Sequence, residues 1–298
     1  MKEATVYTPR REELASFLPP RKRDSHKGTY GIVSLLCGSC AYPGAAKLAN
    51  YALCALRSGC GISRLCVPEN LYDAVAPMLL ESTFCPMPQK QGCMLYDEAA
   101  LQKALAGARA CAVGMGWGSA PQSREDYEKI LRYLLAQPGL RLIIDADGLN
   151  TLAVMERDCL SRAAAQVILT PHPMEFSRLC GLALDRILQD PATAAAEFAE
   201  KHDCTVLLKG ARNVIAGGEE CYAVCRGTSG MATAGSGDAL TGIITALLAQ
   251  GLSAYDAARA GAYLHARAGL RAEKKFGAAS MTAWDISECV RLEGCGID

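Results

Sequence analysis

One acid, Asp238, closes the glycine-rich run Gly227-Thr-Ser-Gly-Met-Ala-Thr-Ala-Gly-Ser-Gly-Asp238, and an apolar-periodic stretch ending at Gly251 follows it. Leu240, Ile243, Ile244, Leu247 and Leu248 recur at helical spacing, which predicts a helix that begins at the acid and packs one face inward. The unpaired N–H groups and positive dipole end of such a helix favour an anion. Gly235 and Gly237 would let backbone approach that anion with no Cβ in the way, and Asp238 in the first turn would face the same space. The pattern is that of a phosphate cradle with a base at its mouth. On spacing alone, a glycine turn capped by an acid accounts for it equally well, so other segments must decide.

Three further clusters put polar residues where apolar runs end. Ile143-Ile144-Asp145-Ala146-Asp147-Gly148-Leu149-Asn150 carries two acids and an amide, Leu169-Thr170-Pro171-His172-Pro173-Met174-Glu175 a histidine and a carboxylate, and Leu207-Leu208-Lys209-Gly210 a lysine. Each has a plain explanation by itself: Asp145 and Asp147 as helix caps, His172 as a hydrogen-bonded rim residue, Lys209 as a solvated strand end. Their convergence on one ligand edge, with the glycine-rich turn, argues for a site.

The elements that would position them alternate. Apolar runs at 31–37, 62–67, 110–114, 140–145, 166–170 and 205–208 read as strands buried on both faces, and 44–58, 124–136, 192–201, 238–249 and 255–271 as helices. Alternation of this kind predicts right-handed crossovers and a doubly wound, mostly parallel α/β sheet. Residues 213–216 and 221–225, separated by Gly217-Gly218-Glu219-Glu220, add an antiparallel hairpin. Ligands in such sheets bind beyond the carboxyl ends of the strands, where the polar clusters fall.

The chain has 298 residues, half of them hydrophobic, with no composition break that would divide it; a lead segment 1–25 and a single domain 26–298 are expected. Lys plus Arg equal Asp plus Glu at 31 each, so no basic field invites nucleic acid or an anionic membrane surface, and a small molecule is the expected partner. The basic, acidic start lacks the apolar core of a signal peptide, and no stretch approaches the roughly 20 apolar residues that span a bilayer, which predicts a soluble, cytoplasmic protein. Fifteen cysteines are scattered mostly in apolar runs and read as reduced core residues. One Cys-x-x-Cys, Cys37 to Cys40, has neither a second pair nor a nearby histidine to make it a metal site.

Taken in order, His26-Lys-Gly-Thr-Tyr-Gly31, Gly38-Ser39 with Tyr42-Pro-Gly-Ala-Ala46, Arg57-Ser-Gly59, Gly114-Met-Gly116, Asp145 to Asn150, Thr170-Pro-His-Pro173, Lys209-Gly210 and Gly230 to Asp238 resemble the ADP/ATP-dependent NAD(P)H-hydrate dehydratases of the ribokinase-like superfamily. The resemblance runs from about His26 to Gly251. It implies repair of the S epimer of hydrated NADH or NADPH: a nucleotide phosphorylates the ring hydroxyl, and phosphate is then eliminated. It makes Asp238 the base, places Ala45, Gly116, His172 and Asp238 around the hydrate, and gives Lys209, Gly210, Ala211, Arg212, Asn213, Gly235, Ser236 and Gly237 to ADP or ATP. Glu175, in place of a sugar-kinase Asn-x-x-Glu acid, would organise Mg²⁺ through water. The resemblance also implies a tetramer, to which 255–271 would offer an apolar face, and a separate epimerase chain, because this chain has no room for one; its bacterial relatives favour ADP.

Thr228-Ser229, Ala234, Met174 and Asn213 depart from the family pattern; Ala234 matters if its position needs a left-handed backbone, and Met174 if it narrows the space beside His172. A vitamin-precursor or sugar kinase would use the same turn and acid, and is set apart by His26 to Gly31 and Tyr42 to Ala46. A nucleotide sensor without turnover would have no need of Asp238 and Lys209. A Rossmann dehydrogenase is disfavoured because Gly114-Met-Gly-Trp-Gly118 lacks the Gly-x-Gly-x-x-Gly spacing.

Overall fold

A computed structural model describes residues 6–7, 21–53, 57–78, 81–156, 158–217, 220–225 and 227–292. Most of the expected lead segment, and the two residues at the hairpin tip, fall outside these. Among the described residues ten strands form one sheet: β1 (Val6–Tyr7), β2 (Ile32–Leu36), β3 (Ile62–Pro68), β4 (Thr83–Met87), β7 (Ala108–Val113), β8 (Arg141–Ile144), β9 (Gln166–Leu169), β10 (Thr205–Leu208), β11 (Arg212–Gly217) and β12 (Glu220–Cys225). A separate two-stranded ribbon pairs β5 (Gln89–Lys90) with β6 (Cys93–Met94). The order in the large sheet is β1-β12-β11-β10-β9-β8-β7-β2-β3-β4. Only the β10–β11 and β11–β12 pairings are antiparallel, as the hairpin reading requires. The chain runs outward from β2 through β3 to β4, then returns to β7 and runs the other way to β10. The order therefore reverses between β2 and β7, and the crevice beyond their carboxyl ends is the place for a ligand.

The helices in chain order are α1 (Pro43–Leu53), α2 (Tyr72–Val75), α3 (Glu98–Leu105), α4 (Arg124–Leu135), α5 (Asp147–Leu152), α6 (Pro173–Cys180), α7 (Leu184–Gln189), α8 (Pro191–His202), α9 (Ser236–Ala249), α10 (Ala254–Phe276) and α11 (Ala283–Glu288). Side chains alternate across the strands and build one core on each face. Val33, Leu35, Leu65, Ala110, Ile143 and Leu207 join α1, α9 and α10; Leu36, Cys66, Cys111, Val113, Leu142 and Leu208 join α3, α4 and α8.

Three expectations change. The helix after the glycine-rich turn is not amphipathic: every residue from Ala239 to Ala249 is buried, because α9 lies between α1, α10 and the sheet. The apolar face of 255–271 is likewise used inside the chain. Its small residues Ala257, Ala258, Ala260, Gly261 and Ala262 are buried, and a Cβ on Gly261 would fall 2.4 Å from Ile244 of α9. That face is therefore not available to a neighbouring subunit. Of the expected helix 44–58, the residues to Leu53 are helical and 57–58 belong to a turn, while 54–56 lie outside the described residues.

Candidate active site

Because β2, β7, β8, β9 and β10 are mutually parallel, their carboxyl ends share one edge, and the polar clusters meet there. At the end of β8 the carboxylate of Asp145 is almost wholly buried, its side chain 1% exposed. It accepts from Lys209 Nζ at 2.7 Å on one oxygen and from Thr241 Oγ1 of α9 at 2.7 Å on the other. Asp147 points elsewhere and accepts from the backbone N–H of Gly118 at 2.7 Å. Between them Ala146 takes φ 51°, ψ −120°, a conformation rare for a residue with a Cβ, and this peptide sends the two acids in different directions. Neither acid is the helix cap of the plain explanation, since Ala146 holds the N-cap position of α5.

Lys209 follows β10 and is fixed by its own N–H to the Pro171 carbonyl, 2.8 Å away. Burial works against its charge, but Asp145, Glu175 and Asp238 together outweigh burial and hold the ammonium above its ordinary value. A Cβ on Gly237 would stand 3.2 Å from Nζ, so the missing side chain lets the lysine reach the first turn of α9. Gly235 serves a different purpose from the one expected. It caps α9 at φ +85°, and a Cβ there would lie 2.2 Å from Leu48 Cδ1, so its bare backbone admits α1 rather than an anion. Ala234 is not among the non-glycine residues with positive φ, so its methyl is accommodated without strain.

Asp238 stands in the first turn of α9, partly buried. Burial first, and then the Asp145 charge, push its carboxyl up to about 7, with Lys209 pulling the other way. An acid poised at that value is half ionised at neutral pH, as a general base should be. His172 caps α6 by accepting the N–H groups of Met174 and Glu175 on Nδ1, while Glu175 Oε2 accepts from the His172 N–H at 2.8 Å. Burial, with Lys209 and Arg178 nearby, lowers His172 and keeps it neutral. Burial raises Glu175 to about 7 against the pull of Lys209. Met174 is 46% exposed and is not among the residues that wall the cavity at His172.

A cavity of about 880 Å³ opens here, walled by Lys209, Gly210, Ala211, Asn213, Ser236 and Gly237, with His172, Met231, Leu240 and His265. Of the expected nucleotide residues, six line it. Arg212 lies exposed on β11 outside the wall, and Gly235 faces α1. His172, expected with the hydrate, shares this cavity. Ala45 and Gly116 lie outside it and meet each other at the reversal between β2 and β7: a Cβ on Gly116, whose φ is +64°, would fall 2.6 Å from the Ala45 methyl and 3.1 Å from Tyr42.

Two residues with a part in the site escaped the sequence reading. Thr241 looks like a core helix position, and His265 sits in the middle of α10. His265 is 5% exposed, faces Ser236 Oγ at 3.3 Å through Nε2, and is pushed down to about 4 by burial, so it is neutral. Only their neighbours across space reveal them. The His26–Gly31 segment, by contrast, precedes β2 at the opposite sheet edge, where a Cβ on Gly31 would strike the Ala249 carbonyl at the far end of α9. None of its residues is among those that wall the cavity.

The reversal of strand order, the capped glycine turn and the lysine–aspartate pair define a ribokinase-like α/β protein with a nucleotide-sized cavity at its carboxyl edge. Within that class the chain belongs to the NAD(P)H-hydrate dehydratase family, whose model matches residues 33–291. An ADP-dependent (S)-NAD(P)H-hydrate dehydratase of Neisseria meningitidis is 34% identical over 274 residues, covering 91% of this chain and 87% of that one. A bifunctional NAD(P)H-hydrate repair enzyme of Moorella thermoacetica is 38% identical over 274 residues, and here the match covers 91% of this chain and 50% of the relative, so the chain spans about half that protein's length. The crystal structure of an ADP/ATP-dependent NAD(P)H-hydrate dehydratase from Bacillus subtilis, co-crystallised with ATP and Mg²⁺, superposes with a TM-score of 0.80 at 28% identity over 97% of both chains.

Proposed function

We propose that the protein removes water from the S epimer of hydrated NADH or NADPH, with ADP or ATP as phosphate donor. The observation that carries this reading is Asp238, a carboxyl raised to about 7 at the open end of α9, within the field of the buried Asp145–Lys209 pair. In this reading the nucleotide occupies the cavity of Lys209, Gly210, Ala211, Asn213, Ser236 and Gly237, and its terminal phosphate lies at the N-terminus of α9, where N–H groups and Lys209 offset its charge. The hydrated ring lies toward Ala45 and Gly116, small enough to let a dinucleotide approach the backbone. Asp238 takes the proton of the ring hydroxyl as its oxygen meets the phosphoryl group, and the ring nitrogen's lone pair then expels phosphate. The chain's chief contribution is to position the two reactants.

The residues present fit a Mg²⁺ held largely by water and phosphate. Among the described residues no group of three or more His, Cys, Asp or Glu could cage a metal, while Glu175 offers one buried carboxylate beside the cavity. The ion would neutralise charge on the transferring phosphoryl group. Cys37, Cys66, Cys85, Cys111 and Cys204 carry free thiols, which fits work in the reducing cytoplasm. A tetramer, expected by resemblance, would have to form through a face other than that of α10. Relatives such as that of Moorella are bifunctional NAD(P)H-hydrate repair enzymes, and these favour a fused epimerase over the separate one expected by resemblance.

The test is recovery of NADH absorbance from hydrated NADH with Mg²⁺ and ADP, ATP or no nucleotide. Recovery that depends on nucleotide and is lost in Asp238→Asn is expected and names the donor. Phosphorylation of a sugar or vitamin precursor without that recovery would replace this reading by the kinase.

A further inference from the structure

The cysteines play no part in the proposed chemistry, yet two of them are placed as partners. Cys66 of β3 and Cys85 of β4 are register neighbours in a parallel pair. Adjacent strands lie about 4.8 Å apart, within the Cα separation that a disulfide spans. Both are free; the Cys66 thiol donates to the Arg64 carbonyl at 3.9 Å and, beside Cys85 in register, can turn its proton to that sulfur when Cys85 ionises.

Their surroundings differ. Cys66 is fully buried in the core between β3 and α3, whereas Cys85 is partly exposed on β4, the last strand of the sheet. Arg64, two residues before Cys66 and on the same face, is held by the carbonyls of Ala104 and Ala106 at 2.8 and 2.9 Å. With Lys103 of α3 it sets two cations beside Cys85. The hydrogen bond from Cys66 first, then Arg64 and Lys103, bring the Cys85 thiol down to about 7 against burial. Burial pushes Cys66 up. One thiol is thus reachable and readily ionised, and the other is protonated and in contact with it.

We propose that Cys85 and Cys66 form a peroxide-reactive pair, in which Cys85 is oxidised first and Cys66 then joins it in a disulfide across β3 and β4. The Cys85 thiolate attacks the O–O bond of hydrogen peroxide, forming an S–O bond and releasing hydroxide. The Cys66 sulfur then attacks the resulting sulfenic acid, the S–O bond breaks, and the Cys66 proton leaves with that oxygen as water. Two thiols are oxidised, and one peroxide is reduced to two waters.

The experiment treats the reduced full-length protein with equimolar hydrogen peroxide at pH 7, blocks the remaining thiols and maps the peptides by mass spectrometry. The expected product is a joined Cys66–Cys85 peptide pair lacking two hydrogens, formed at least about twofold faster than oxidation of the exposed Cys40. In Cys66→Ser, Cys85 should accumulate as a sulfenic acid trapped by a 1,3-dione, and in Cys85→Ser, Cys66 should stay reduced. Alkylation of Cys85 across pH should show a midpoint of about 7, moving toward an ordinary thiol's roughly 8.5 in Cys66→Ala, which removes the donor. A wild-type midpoint near 8.5, oxidation of Cys40 ahead of Cys85, or over-oxidised Cys85 beside a reduced Cys66 would each overturn the proposal.

Discussion

Lys209 Nζ and Asp145 Oδ1 meet at 2.7 Å from the ends of two different strands, and the second oxygen of the same carboxylate accepts from Thr241 in α9. One buried charge therefore ties β8, β10 and α9 together. Removing one partner of such a pair leaves the other uncompensated, at a cost of about 3–5 kcal/mol. Lys209→Met should lose that much in urea unfolding at pH 7. Lys209→Met combined with Asp145→Leu should recover most of the stability and none of the activity. Thr241→Val, which keeps the shape but removes the donor, should cost about 1–3 kcal/mol.

The Asp238 carboxyl must be ionised to act as a base, so kcat/KM should rise with pH and level off, with a midpoint of about 7. Glu175 is also raised to about 7, so Glu175→Gln is the needed control: the acid limb should persist there with a lower plateau. Asp238→Asn should reduce kcat by about 10²–10⁴. The sign for stability is the reverse of that for activity. A carboxyl raised from 3.8 to about 7 binds its proton more tightly in the folded protein, so its contribution to stability falls as pH rises from about 4 to about 7. Thermal unfolding of Asp238→Asn should occur above wild type at pH 8 and approach it near pH 4.

Gly116→Ala would bring a methyl to 2.6 Å from Ala45 at a backbone φ of +64°. The expected result is a KM for the hydrate raised about tenfold, equivalent to about 1.4 kcal/mol, with ADP affinity in a direct titration unchanged. Ala45→Gly in the same chain removes the facing methyl and should restore part of the loss, because the backbone strain stays.

Much of this fold was readable from apolar runs. β10 begins and ends where expected, and β2, β3, β7, β8 and β9 fall within a residue or two of the reading. The edge strand β4 was missed because Thr83-Phe-Cys-Pro-Met87 neither alternates cleanly nor looks buried, and its Pro86 suits only an edge. The short helices α5 and α6 were hidden by the acids and histidine in their first turns, which read as loop. Asp238 and Lys209 each have a plain explanation alone and were singled out together, because several polar clusters converge on one sheet edge. Thr241 and His265 were not, since a hydroxyl or imidazole within a buried helix declares its purpose only through what lies across from it.

Ala234 shows how a departure from pattern can be harmless. Its backbone is not left-handed, so Ala234→Gly should leave turnover within about twofold of wild type. The change adds freedom to the unfolded chain and should lower stability by about 0.4–1 kcal/mol in urea titration.

The peptide at Ala146 carries a consequence for engineering. A residue with a Cβ held at φ 51°, ψ −120° stores about 1–3 kcal/mol, and the strain is what splits Asp145 from Asp147. A search for heat-resistant variants would be drawn to Ala146→Gly, which relaxes that peptide. The same relaxation widens the range of directions open to the two acids, one bound to Lys209 and the other to Gly118. At this position, selection for durability and selection for turnover pull apart.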